Sequence, residues 1–113
     1  MVGYTYTVSE IKARQPVKIT LGPETETGQG WRYIITIEWA SGETTEHIVT
    51  LGHHDYEHWC GGIEPPSRLA HRGIQIAAKA LGTDLPSRFD LSQMRRRLPG
   101  TPGFDEYMTS GGS

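Results

Sequence analysis

The strongest structural pattern in this chain is WRYIITIEWASGETTEHIVTL, residues 31–51. Aromatic and β-branched residues dominate it, and both kinds fit the half-buried surface of a β-sheet. The short polar segment at residues 40–43 contains a glycine and divides the stretch into two halves, as a hairpin turn does. We therefore predict two antiparallel strands joined by this turn.

The two predicted strands have two different faces, because successive side chains of a strand point in opposite directions. One face of the first strand carries its large apolar side chains: Tyr33, Ile35, Ile37 and Trp39. Ile34 and Ile48 fall on the opposite, otherwise polar face. We predict an interaction face at these two isoleucines, and dimerisation through the sheet is one way to cover it.

Further strands are predicted before the hairpin. Residues 4–8 and 17–21 alternate between apolar and polar side chains, which indicates short strands. Residues 22–30 are polar and rich in glycine, so we predict a mobile loop there. With the hairpin, these segments make an antiparallel sheet of three to four strands.

Helices are predicted after the hairpin. A helical turn at residues 56–60 leads to a main helix that starts near Pro66 and ends at Gly82, and a shorter helix starts at Asp90. Because the strands precede the helices, we predict an α+β fold: an antiparallel sheet followed by a main helix and a short C-terminal helix. One domain is expected at residues 1–108, with a disordered tail at 109–113.

Length and composition limit the classes of protein that fit. The chain has 113 residues, a net charge of −2 and one cysteine, Cys60. A single cysteine excludes an intrachain disulfide, and the charge argues against a generally basic nucleic-acid binder. There is no apolar run of the roughly 18 residues that a membrane span needs, and no secretory signal pattern. We therefore expect no membrane association and a cytoplasmic location.

The charges are not evenly distributed. Residues 1–66 carry nine acidic and four basic groups, whereas residues 67–98 carry seven basic and two acidic groups. One interpretation is that the acidic and basic halves attract each other within the fold. The other is a basic face that meets an anionic partner.

The second half of the chain resembles short, uncharacterised bacterial proteins. Five features carry the resemblance: Tyr56, Gly61-Gly62, Pro65-Pro66, Phe89-Asp90-Leu91, and Leu98-Pro99 before Phe104-Asp105-Glu106-Tyr107. It implies a fold of strand, turn and proline-started helix, and it implies no activity.

A dense group of metal-ligating side chains follows the hairpin, at His53, His54, His58 and Cys60. His54 and His58 are four residues apart, a spacing that places two ligands on one face of a helix. Zinc is the metal that such imidazole and thiolate ligands would take, and no other cofactor is expected. The alternative is a polar turn with exposed histidines and with Trp59 and Cys60 packed inward.

Cys60 is also a candidate nucleophile, for which His58 or His71 would have to act as the base. No catalytic-cysteine signature surrounds it, so the alternative is a packed, inert thiol.

The basic half offers a candidate anion-binding site for phosphate, nucleic acid or an acidic partner. Its arginines are Arg68, Arg72, Arg95, Arg96 and Arg97, and Arg88 lies between them in sequence. Successive helical residues point about 100° apart, so three consecutive arginines cannot face one ligand. We expect at least one of them to pair with an acidic group of its own domain.

These observations predict a small non-enzymatic interaction or accessory protein that binds a protein partner or itself. Two alternatives stay open: a metal-binding domain at residues 53–60, and anion or nucleic-acid binding through the basic half.

Overall fold

The computed structural model describes residues 15–98 and 103–110, which form a four-stranded sheet with helices packed on one of its faces. The strands, in both chain and sheet order, are β1 (Pro16–Glu26), β2 (Gly30–Trp39), β3 (Thr44–Gly52) and β4 (Arg88–Asp90). The helices are α1 (His53–Cys60), α2 (Pro66–Leu81), α3 (Met94–Arg97) and α4 (Phe104–Ser110). The predicted α+β class is confirmed.

The predicted hairpin is confirmed as β2 and β3. These strands pair antiparallel over their whole length, with Ile34 opposite Ile48. The backbone N–H of Trp39 donates to the oxygen of Glu43 at 2.9 Å and closes the turn. Gly42 has a φ of 92° in this turn, a conformation that side chains other than glycine rarely adopt.

Strand β1 is longer than the sequence predicts, and the loop predicted at residues 22–30 is wrong for its first half. The strand continues to Glu26 after a register shift between Leu21 and Glu24. Glu24 then accepts a hydrogen bond from the hydroxyl of Tyr33, with 2.7 Å between the oxygens. Burial, together with this bond, raises the pKa of Tyr33. This hydrogen bond lies in the added part of the strand, which composition alone does not indicate.

Strand β4 corrects the predicted all-antiparallel sheet. It comes after the main helix and pairs parallel to β3, with Phe89 opposite Val49. Two helices lie between β3 and β4, and such a crossover is what parallel neighbours require. The strand predicted at residues 4–8 lies outside the described residues.

The main helix and its neighbours mostly follow the sequence signals. Helix α2 ends at Leu81, and Gly82 follows with a φ of 58°. Helix α1 starts at His53, three residues before the predicted turn, and Gly61 ends it in the left-handed region. Asp90 caps a short 3-10 turn that leads into α3, and Gln93 completes a capping box.

A fourth helix occupies part of the predicted disordered tail. Helix α4 extends to Ser110, and the hydroxyl of Thr109 donates to the backbone oxygen of Asp105 at 3.0 Å. Phe104 and Met108 are both buried, because they lie four residues apart on one face of the helix. Helix α4 includes residues 109 and 110 of the predicted tail, and residues 111–113 lie outside the described part.

The hydrophobic core lies between the inner face of the sheet and the helices. Leu69, Ile74 and Ala77 of α2 are fully buried against it. The sheet contributes large side chains from the face that the alternation predicts: Tyr33, Ile35, Ile37, Trp39, Val49 and Leu51. None of the described helices is both long and apolar enough to cross a membrane.

Candidate functional site

Helix α1 does not assemble the predicted metal ligands. His53, His54 and His58 are exposed, whereas Trp59 is buried and Cys60 is half-buried. Within residues 15–98 and 103–110, no group of three or more His, Cys, Asp or Glu side chains could hold a metal ion. The arrangement corresponds to the alternative from sequence, a polar surface with Trp59 packed inward.

The side chains of this segment have structural partners instead. The ring of His53 meets Trp31 edge-on, with 4.7 Å between the centroids. Tyr56 packs on the same indole at 5.1 Å and donates its hydroxyl to the backbone oxygen of Glu64. The thiol of Cys60 lies 4.0 Å from that same oxygen. A carbonyl oxygen is too weak a base to activate a thiol, so this contact does not support a nucleophile.

Arg72, one of the predicted anion-binding residues, is committed to an internal ion pair. Its Nη2 lies 2.5 and 2.6 Å from the two carboxylate oxygens of Glu64. Its Nη1 donates to the backbone oxygen of Met108 at 2.9 Å. Glu64 is buried, and a buried carboxylate needs such a partner. Arg72 therefore connects α2 to α4.

Arg95 is also used within the fold, which confirms that one of the three consecutive arginines pairs inside its own domain. Its guanidinium donates to Asp55 at 2.9 Å and to Asp105 at 2.8 Å. The indole N–H of Trp59 donates to the same oxygen of Asp105 at 2.6 Å. Arg95 also lies over the Trp59 ring, 5.0 Å from its centroid. We call these four residues the Arg95 cluster.

Protonation in the Arg95 cluster is set by two opposing influences. Burial alone would raise the pKa of Asp105, but the hydrogen bonds from Arg95 and Trp59 outweigh it and hold that pKa below its ordinary value. Burial also disfavours charge on Arg95, yet its two carboxylate partners raise its pKa. Arg95 and Asp105 are therefore both charged at neutral pH. The cluster connects α1, α3 and α4.

The predicted anion-binding set is thus divided by the fold. Arg68 is exposed on α2, whereas Arg96 and Arg97 are exposed at the end of α3. Arg96 and Arg97 line an open cleft together with Arg88 of β4. Of the five predicted arginines, two line this cleft, two form internal ion pairs, and Arg68 lies outside both groups.

The outer face of the sheet is the side that the helices do not cover. Ile34 and Ile48 are direct cross-strand neighbours there. Ile34 exposes 44% of its surface, and Ile48 is half-buried. Arg32 and Glu46 are exposed on the same face. The predicted interaction residues are therefore together and accessible.

Two buried polar residues were not singled out from the sequence. Both ring nitrogens of His47 form hydrogen bonds. Its Nε2 lies 2.8 Å from the hydroxyl oxygen of Thr45, and its Nδ1 lies 2.6 Å from the backbone oxygen of Pro86. Because a carbonyl can only accept, the Nδ1 of His47 carries a proton. The other is Glu64, the partner of Arg72. The position of His47 on the apolar face of β3 was a usable signal, whereas nothing near Glu64 in sequence indicates its partner.

No protein-family model, curated protein or solved structure matches this chain.

Proposed function

We propose that this protein is a small non-enzymatic interaction module that binds a second copy of itself through the outer face of its sheet. The cross-strand pair of Ile34 and Ile48 carries this proposal, because it places two apolar side chains together on an open face. Covering such a pair with a second surface removes apolar area from water, which is favourable.

Charges beside the isoleucine pair favour a second copy as the partner. Arg32 precedes Ile34 by two residues and Glu46 precedes Ile48 by two, and β2 and β3 are antiparallel. Arg32 and Glu46 therefore lie on opposite sides of the pair. A two-fold axis that crosses the strands at the pair brings Arg32 of each copy beside Glu46 of the other. The surface is complementary to itself, as a two-fold interface requires.

The size of the apolar pair predicts a weak, reversible dimer. Stable interfaces bury about 800 Å² on each partner, and two isoleucines with a rim of charges supply only part of that area. We expect dissociation constants in the micromolar range or weaker. A reversible contact of this kind suits an accessory protein in a bacterial cytoplasm, the location that we propose from the sequence.

Sedimentation equilibrium of the wild-type chain and of Ile34→Asp tests this function. We expect the average mass of the wild type to rise towards that of a dimer over roughly a hundredfold increase in concentration. Ile34→Asp should remain a monomer over the same range, because it buries a charge in the interface.

Ile63→Asp is the matched control, because Ile63 is an isoleucine exposed over 87% of its surface and lies outside the sheet. It should dimerise like the wild type. A wild type that stays monomeric throughout, or an Ile63→Asp variant that loses association as Ile34→Asp does, would refute the proposal.

A further inference from the structure

Three arginines surround an open cleft beside β4. Arg88 of β4 and Arg96 and Arg97 of α3 line it, and its volume is about 540 Å³. All three side chains are exposed. Among the residues that the structure describes, no carboxylate lines the cleft, so three positive charges lie around one space without a compensating negative charge in its described lining.

The arginines of the cleft differ from those that hold the fold together. Arg72 and Arg95 each form ion pairs with carboxylates of their own domain. Across residues 15–98 and 103–110, Arg88, Arg96 and Arg97 form none. Like charges at close range repel each other, so an arrangement that gathers them has an electrostatic cost that an anion would remove.

The rest of the lining completes a site for an organic anion. The side-chain oxygen of Gln93 accepts from the backbone N–H of Asp90 at 3.0 Å. Its NH₂ group, which can only donate, is therefore the end left for a ligand. The half-buried Pro86 supplies an apolar surface next to these donors. Ligand clefts usually combine such an apolar surface with a few convergent polar groups.

We propose that this cleft binds a small phosphate compound that carries at least two negative charges. A guanidinium group matches two phosphate oxygens at once, and three such groups exceed what a single carboxylate needs. The cleft volume lies within the range of about 300–1,000 Å³ that small ligands occupy. The residues that carry this proposal are not those that carry the dimer, although Arg88 lies beside Ile48 in the sheet. Binding to Ile34→Asp therefore tests the cleft separately from the dimer.

A small ligand fits the surface better than a nucleic-acid strand does. A polymer needs a basic stripe along which several phosphates can bind. The net charge of the chain is −2. Two exposed carboxylates lie near Arg88: Asp84 lies four residues before it in sequence, and Glu46 lies on the neighbouring strand β3. These carboxylates limit how far positive potential extends from the cleft along β3 and along the segment before β4.

Calorimetric titration with inorganic pyrophosphate and with ATP, in the absence of divalent metal, tests the site. We expect one equivalent to bind per chain, both to the wild type and to Ile34→Asp. Arg96→Gln and Arg88→Gln should each weaken binding roughly tenfold, the usual effect of losing one charge-assisted hydrogen bond. Circular dichroism checks that each variant is folded, and if Arg88→Gln unfolds, Arg97→Gln replaces it.

Arg68→Gln is the matched control, because it removes the same charge from an exposed position on α2. It should bind pyrophosphate as the wild type does. Equal weakening by Arg68→Gln and Arg96→Gln would overturn the proposal, because it would show an effect of net charge alone. Absence of binding at low salt would also overturn it. So would a single-stranded oligonucleotide that binds far more tightly than pyrophosphate and is equally sensitive to Arg68→Gln.

Discussion

The two faces of the sheet are formed by alternate residues of the same strands, and they have opposite environments. Ile35 lies on the inner face and is fully buried, whereas its neighbour Ile34 on the outer face exposes 44% of its surface. The inner face is covered by α2 and α1, and the C-terminal helix α4 packs on these helices. The outer face mixes two isoleucines with charged and hydroxyl side chains.

This difference suggests that residues of the inner face determine stability, whereas we propose that residues of the outer face determine association. Inner-face side chains are fixed by packing within the chain, so their identity is explained by the fold. The outer-face isoleucines contribute less to the fold because they are only partly buried. We propose that they contact a second copy of the chain. Substitutions on the two faces should therefore change different measured quantities.

The largest expected effect is on the free energy of unfolding when Ile35 is truncated. Ile35→Ala removes fully buried methyl groups and leaves a cavity, which should cost about 2–5 kcal/mol. Ile34→Ala should cost less than about 1 kcal/mol, because its side chain is half exposed in the monomer. Urea denaturation at a concentration where the monomer dominates measures both. Similar losses for the two variants would show that a second layer covers the outer face within the monomer.

The face assignment in the hairpin was predictable, because alternation over residues 31–51 has a period of two and the aromatic residues fall on one side. The end of β1 was not predictable, since it depends on Glu24 meeting the hydroxyl of Tyr33. The parallel position of β4 was also hidden, because three residues of strand carry too little pattern to be recognised.

The candidate site was predictable only in part. Ile34 and Ile48 were found because apolar residues break the alternation on a polar face. The arginines could be identified from the sequence. Which of them form internal ion pairs and which line the cleft depends on residues that are distant in sequence. Arg95 meets Asp55, which lies forty residues earlier, and no local signal encodes that contact. The spacing of His54 and His58 predicts two ligands on one helix face, but a metal site needs a third, and within residues 15–98 and 103–110 no third side chain joins them.

A second comparison uses two threonines, one on each face. Thr45 on the inner side accepts the indole N–H of Trp39 at 2.8 Å and contacts the ring nitrogen of His47. Thr45→Val leaves both groups without this partner and should cost about 1–3 kcal/mol. Thr36→Val on the outer face should change stability by less than about 0.5 kcal/mol. Thermal unfolding of the two variants measures the difference, and equal melting temperatures would contradict the role of Thr45.

The smallest expected effect is on the free energy of unfolding at low pH, through the charge of Asp105 in the Arg95 cluster. The pKa of Asp105 is held below its ordinary value of 3.8. Its contribution is therefore complete above that value and is lost as the pH falls through the lower pKa of the folded state. Because 43% of the Asp105 side chain is exposed, the contribution should be under about 1 kcal/mol.

Urea denaturation of the wild type and Asp105→Asn between about pH 2 and pH 7 measures this dependence. The variant should be slightly less stable at neutral pH, and its stability should fall less steeply in acid. Identical curves would show that the Arg95 cluster does not depend on the charge of Asp105.

The proposed dimer orientation is tested most directly by mixing two charge-reversal variants, Arg32→Glu and Glu46→Arg, in sedimentation equilibrium. Each variant alone should be monomeric where the wild type dimerises, because like charges then meet at both ends of the interface. An equal mixture should form heterodimers, since every contact between Arg32→Glu and Glu46→Arg again joins opposite charges. Variants that dimerise alone as the wild type does, or a mixture that stays monomeric, would contradict binding of a second copy through the outer face.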